Sequence, residues 1–325
     1  MEAVISLLPY YIYFQRRSDF IMYDLIILGG GPAGLTAGLY AARSRLKTVL
    51  IEKTYLGGQI VNTYQLENYP GYEEISGADL VAKMEAQVRR HGLEIVMEDV
   101  ESLDITGDVK KVKTSNKTYE AKAIILAMGA TPKKLGVPNE DRFIGAGISF
   151  CATCDGAFYR DATVAVIGGG NTAVEDALYL TKFAKKVYII HRRNELRATK
   201  IEQEKAFANE KIEFIWDTVV VDVEGEYGVE RLKLKNVKTG EESTLDVEGV
   251  FVAIGYSPNT ELVKGIVELD EYGYIMTDDD MRTNIPGVFA AGDIRHKSLR
   301  QVITAAGDGA TAAYVAEKYI DSVKK

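Results

Sequence analysis

At 325 residues the chain is longer than one small core requires and points to two domains, while 46% hydrophobic and 26% charged residues exclude a disordered or low-complexity protein. A formal net charge of -8 argues against a nucleic-acid partner, because phosphate binding needs clustered Lys and Arg. Only two cysteines occur, three positions apart, which excludes a disulfide-stapled secreted scaffold and sets the expectation of a cytoplasmic protein whose macromolecular partner, if any, is a protein.

Residues 1–21 form an extension ahead of the first strong strand. Its apolar run, residues 3–14, is far short of the ~20 residues that span a bilayer. Glu2 precedes that run and Arg16 and Arg17 follow it, which inverts the charge order of a signal peptide. Met22 stands directly before the strand and would serve as an alternative start.

Residues 23–28 (YDLIIL) read as a short buried strand closing in glycines. A helix-like stretch at 33–45 and a strand-like stretch at 47–52 follow, which together make a βαβ unit. Its turn, GGGPAG, matches GxGxxG through Gly29, Gly31 and Gly34, with Pro32 and Ala33 opening the helix. Glycines there let the backbone approach a pyrophosphate at a helix N-terminus, and Glu52, about 20 residues on, ends the second strand where a ribose hydroxyl is read. Spacing alone does not choose FAD over NAD at this turn.

Strand-like segments continue through residues 112–130, ending in AMGAT and a Pro–Gly-rich crossing near Pro132. CATCD follows at residues 151–155. Two residues between Cys151 and Cys154 permit an easily opened disulfide and a thiol of lowered pKa, and Asp155 beside them is placed to protonate a leaving thiolate. Zinc is not expected, since no further cysteine exists and the three histidines are scattered.

The βαβ pattern then returns: a strand at 162–167, the turn GGGNTA with Gly168, Gly170, Asn171, Thr172 and Ala173, a helix at 173–182 and a strand at 186–191. Here the acidic position becomes His191, followed by Arg192, Arg193 and, one turn later, Arg197. Guanidinium groups bind phosphate oxygens in pairs, so this end of the strand suits the 2′-phosphate of NADPH. A second crossing falls near Asn259. The rest carries the strand GVFAAGD and a final helix from Leu299 onward, and returns to complete the first domain.

GGGPAG, GGQ (residues 57–59), ENYPG (67–71), CATCD, GGGNTAVE, HRRNELRA and GVFAAGD with Arg300 and Gln301, in that order, resemble the low-molecular-weight thioredoxin reductases of the class II pyridine nucleotide-disulfide oxidoreductases. The resemblance implies an α/β fold of two Rossmann-like dinucleotide-binding domains, each of three-layer ββα type. Residues 1–132 and 260–325 would form a discontinuous FAD domain, and 133–259 an inserted NADPH domain carrying the cysteines. Glycines 29, 31 and 34 would meet the FAD pyrophosphate and Glu52 its ribose; Gly58, Gln59, Asn68, Gly129, Arg300, Gln301 and Val302 would surround the flavin, with Gly292 and Asp293 on the ribityl chain. Met128 stands where the family more often has Thr. The expected reaction takes a hydride from NADPH through FAD to the Cys151–Cys154 disulfide and on to thioredoxin, in a homodimer. A glutaredoxin-like partner, a flavin dithiol oxidase and a flavin-binding redox sensor are the alternatives.

Overall fold

The computed structural model describes residues 22–63 and 66–323; the extension at 1–21 lies outside the described residues. Two parallel sheets organise the chain. The first begins with the strand Met22–Leu28, flanked by Thr48–Glu52 on one side and Thr118–Leu126 on the other, with Glu94–Met97 beyond Thr48–Glu52. Parallel strands covered on both faces read as continuous apolar runs. Alternate residues serve opposite faces: Leu25, Ile27 and Leu50 pack with the helix layer, while Ile26, Leu28 and Val49 pack the other way.

The long strand Thr118–Leu126 belongs to two layers. Its first half pairs antiparallel with Lys110–Thr114, which leads to Val100–Asp104; its second half pairs parallel with Val288–Ala290. The second sheet repeats the plan in the order Ile212–Ile215, Lys186–Ile190, Thr163–Ile167, Gly249–Val252, Ile148–Ser149. Its helix-facing residues include Val164, Val166 and Val187, and its opposite face packs Ala165, Ile167 and Val250 against Val220, Val223 and Leu232 of a three-stranded antiparallel sheet. Helix, parallel sheet and antiparallel sheet are thus stacked in three layers in each half, the ββα arrangement expected from the sequence.

Helix boundaries differ from the sequence reading for local reasons. The first runs Pro32–Arg43, because Pro32 is preorganised for the first helical turn, and it ends before Arg45, whose φ of 57° is left-handed. The second runs Asn171–Leu180, directly after Gly170. The last begins at Val302, not Leu299: Thr304 Oγ1 accepts the Gln301 N–H at 3.1 Å and donates to Leu299 O at 3.1 Å, holding residues 299–301 as a loop. This helix, Val302–Val323, lies against Pro32–Arg43 so closely that a Cβ on Gly309 would come within 2.1 Å of Ala33 O. Small residues at that crossing bring the starts of both helices and the Gly292–Asp293 turn together.

The chain passes between the halves twice, at Ala130–Pro132 and Tyr256–Pro258, and the two passes pair antiparallel, with Thr131 opposite Ser257. Asn259 Nδ2 donates to Met128 O at 2.8 Å and its N–H to Gly129 O at 3.0 Å, so the AMGAT turn is tied from the returning strand. No helix among the described residues is long and apolar enough to cross a membrane.

Candidate active site

A cleft of about 1290 Å³ opens at the carboxyl ends of the first sheet's strands, where a doubly wound fold places ligands. Gly29, Gly31, Pro32 and Ala33 form one wall. Gly29 has φ 103°, and a Cβ there would meet Ala127 O at 2.4 Å; at Gly31, by contrast, a Cβ would find nothing within 4 Å, which leaves an open backbone face on the cleft. Gly34 lies behind the turn, packed on Gly29 O, so it shapes the wall without lining it.

Glu52 lines the cleft and also braces the turn. Its Oε2 accepts the Gly30 N–H at 2.7 Å, and its Oε1 accepts those of Lys53 and Thr54 at 2.8 and 3.1 Å. The sequence reading gave it only a ribose to meet. Gly58, Gln59, Gly129, Gly292, Asp293, Arg300, Gln301 and Val302 are all on the walls, whereas Asn68 reaches the site through Gln301, donating from Nδ2 to Oε1 at 3.1 Å. Arg300 stacks over Tyr274, 4.0 Å from the ring centroid.

Two buried polar atoms on these walls have no protein hydrogen-bond partner: the acceptor Asp293 Oδ1 and the donor Arg300 Nε. Burial pushes the Asp293 carboxyl up, Lys297 and Arg300 pull it down, and Asp308 pushes it up. An orphaned acceptor and an orphaned donor beside an open glycine turn fit a ligand carrying both hydroxyls and anionic or carbonyl oxygens. FAD is such a ligand, and the donor set suits it.

Cys151 and Cys154 are joined as a disulfide, half-buried in the same cleft. Gln301 reaches across from the other half: its Nε2 lies 3.7 Å from Cys151 Sγ and donates to Thr153 Oγ1 at 3.2 Å, while its Oε1 is 3.7 Å from Cys154 Sγ. The Cys151 N–H donates to Ser149 Oγ at 3.0 Å, and the Ser149 hydroxyl donates to Asp155 Oδ2 at 2.6 Å. Burial raises the Asp155 carboxyl above the ordinary range, against the opposing Ser149 hydrogen bond. Tyr256 Oη anchors the approach to the cysteines by donating to Phe150 O at 2.7 Å.

The second glycine turn is elsewhere. Gly168, Gly170, Asn171, Thr172 and Ala173 are not on the cleft's walls, nor are His191, Arg192, Arg193 and Arg197. Gly170 again leaves open space where a Cβ would point. Asn171 Oδ1 accepts the Thr199 N–H at 2.7 Å, which holds the loop that carries the arginines. All three arginines are exposed and make no ion pair among the described residues. His191 is buried beneath Gly169, with Nε2 unpartnered; burial first, then Arg197, Arg193 and Arg192, lowers its pKa and favours the neutral ring. Three free guanidinium groups around an open glycine turn fit a phosphorylated dinucleotide such as NADPH.

Sequence reading missed Glu98, Asp99 and Val100, which extend the cleft wall, and Tyr256 from the returning strand. The first three follow the strand Glu94–Met97, and the rule that ligands sit at carboxyl ends of parallel strands was the signal available for them.

Residues 23–309 match the family model described as pyridine nucleotide-disulphide oxidoreductase. A thioredoxin reductase of Peptoclostridium litorale is 53% identical over 309 residues, covering 93% of this chain and 98% of the relative. The crystal structure of thioredoxin reductase from Streptococcus pyogenes MGAS5005 superposes with a TM-score of 0.90 at 49% identity, over 93% of this chain and 99% of that one. Lactococcus lactis thioredoxin reductase in its FR conformation, at 48% identity over 92% and 99% of the two chains, reaches a TM-score of 0.65.

Proposed function

The chain belongs to the pyridine nucleotide-disulphide oxidoreductase family, and from that premise we propose that it is an FAD- and NADPH-dependent reductase of thioredoxin acting through Cys151 and Cys154. The observation that carries this is the disulfide's place on a wall of the cleft that also presents the first glycine turn, Asp293 and Arg300. Bound FAD would supply the two-electron chemistry, receiving hydride from NADPH and delivering the pair to a disulfide.

The chain's own work is positioning and proton handling. The open turn at Gly31 and the following helix would receive the FAD pyrophosphate, Asp293 would accept from the ribityl hydroxyls, and Arg192, Arg193 and Arg197 would hold the 2′-phosphate of NADPH. Two electrons entering the Cys151–Cys154 bond break it into two sulfur anions. Asp155 keeps its proton to higher pH than an ordinary carboxyl and is placed to give it to one of them. The remaining thiolate, Cys151, then attacks one sulfur of the partner's disulfide and expels the other as a thiolate. Cys154, its proton returned to Asp155 and on to that sulfur, displaces the reduced partner as a thiolate, which takes a proton from water, and so restores the pair.

Cys151 and Cys154 face the first half, so a protein disulfide reaches them only if the middle segment, residues 133–259, turns about the paired passes at Ala130–Pro132 and Tyr256–Pro258. Support for such a turn lies in the fall of TM-score from 0.90 to 0.65 between two relatives of nearly equal identity and coverage, as rigid units differently disposed would produce. A homodimer in the cytoplasm completes the reading.

The test mixes FAD-loaded protein with NADPH and oxidised thioredoxin. Rapid bleaching of flavin absorbance and steady production of thioredoxin dithiol are expected, and Cys154→Ser should lower turnover at least about 1000-fold. Absence of both bleaching and turnover refutes the function. Turnover only with oxygen and a small dithiol would make the chain a dithiol oxidase instead.

A further inference from the structure

Three charged side chains outside the cleft's walls, Arg295, Lys297 and Asp308, are almost wholly enclosed, with side chains 12%, 9% and 12% exposed. Asp308 comes from the last helix; the two cations come from the loop after the Gly292–Asp293 turn. Asp308 Oδ1 accepts from Arg295 Nη1 at 3.2 Å. Its Oδ2 accepts from Lys297 Nζ at 2.9 Å and from the backbone N–H of Gly292 at 3.0 Å. Arg295 is further fixed by donating from Nε to Thr277 Oγ1 at 2.8 Å.

Enclosed ion networks are a poor source of stability, since apolar replacements often do as well, so such a network calls for a geometric reason. The reason is next door. Lys297 Nζ stands between two carboxylates, hydrogen-bonded at 2.9 Å to Asp308 and only at ion-pair distance, 3.9 Å, from Asp293 Oδ1, the acceptor left without a protein hydrogen bond on the cleft wall. Without Asp308, the nearest anion for Lys297 would be Asp293, and that acceptor would be taken by the protein itself.

The structure assigns Asp308 as a positioning residue that anchors the Gly292 N–H and draws Lys297 away from Asp293, keeping Asp293 Oδ1 available to a hydroxyl of the bound FAD. This role rests on the reading of the cleft as the FAD site. Arg295 closes the network on the far side of Asp308, so the turn, the loop and the last helix are tied to one another.

The experiment titrates FAD into apoprotein, following the quenching of its fluorescence, for wild type, Asp308→Asn, Lys297→Met and the double variant. Asn preserves an acceptor for the Gly292 N–H while removing the charge and the second acceptor that Arg295 uses. Asp308→Asn is expected to weaken FAD binding about ten-fold or more, Lys297→Met less than about three-fold, and the double variant to return within about three-fold of wild type. A merely structural role would lower the melting temperature of the apoprotein and show no such recovery. Asp308→Asn binding within two-fold of wild type, or a double variant as weak as Asp308→Asn, overturns the role. Where the single variant does not fold, the double variant decides alone: recovery supports the role and a ten-fold loss overturns it. Wild-type apoprotein that takes up no FAD overturns the reading of the cleft, and this role with it.

Discussion

The two glycine turns of this chain share a scaffold and diverge at a handful of positions. Both follow a buried parallel strand, open a helix, and leave a Cβ-sized space at the third glycine, Gly31 or Gly170. Yet the first strand pair ends in Glu52, whose oxygens bind three backbone N–H groups and close the turn on itself. The second ends in His191, which fills the space under Gly169 as a neutral ring and leaves three arginines outside. Even the helices differ: where the first buries Ala37 completely, the second carries Asp176 at the same place in the motif, its carboxyl pushed up to about 7 by burial and then by Glu175. The scaffold supplies a binding edge, and on our proposed reading a few side chains at the end of the second strand decide what the edge holds.

The comparison breaks if the two turns are interchangeable. Gly31 and Gly170 have extended backbones, φ -72° and -92°, that accept a side chain without strain. Gly31→Val should therefore fold but lose FAD about 100-fold, roughly 2.7 kcal/mol, whereas Gly170→Val should keep FAD and lose NADPH binding instead. Flavin retained after ultrafiltration and the KM for NADPH separate the two; loss of the same cofactor in both would end the distinction.

A smaller effect tests the arginines. Replacing Arg192 and Arg193 by Ala should raise the KM for NADPH about 30-fold and leave NADH within about two-fold, since only NADPH brings a 2′-phosphate to them. Equal losses in steady-state assays would contradict the phosphate role.

The smallest effect concerns Asp176. Its folded carboxyl holds a proton to about pH 7 and the unfolded one to about 4, so its contribution to stability is present at low pH and is lost as pH rises through 7. The loss runs from about pH 4 to about pH 7, so Asp176→Asn should leave the melting temperature nearly unchanged at pH 4 and raise it by about 3 °C or more at pH 8.5. A gain equal at both pH values would show that the burial of charge is not its cause.

The strand–glycine–helix units and the Cys151–Cys154 pair were legible because their signals are local: apolar runs, turn chemistry and spacing within a few residues. What escaped was set by distance in the chain. Tyr256 reaches the cleft because the returning strand pairs with residues 130–132, and Asp308 reaches Gly292 because small residues let two helices approach; neither contact leaves a mark in its own neighbourhood. The last helix was misplaced by three residues because Thr304 acts backwards on Gln301 and Leu299, which apolar periodicity does not register. Glu52 was legible as a residue and incomplete as a role, since its bond to Gly30 depends on how the turn folds over the strand end.

The register of the two connecting passes has a consequence for the gene as well as the protein. Because Thr131 lies directly opposite Ser257, the chain leaves the first half and re-enters it at neighbouring points of one antiparallel ribbon. A segment whose ends meet can be spliced in or out without stretching its host. Joining residue 131 to 257 through a short hairpin turn would leave the first sheet and its glycine turn on one continuous chain, while the excised stretch would keep the second sheet and its meander whole.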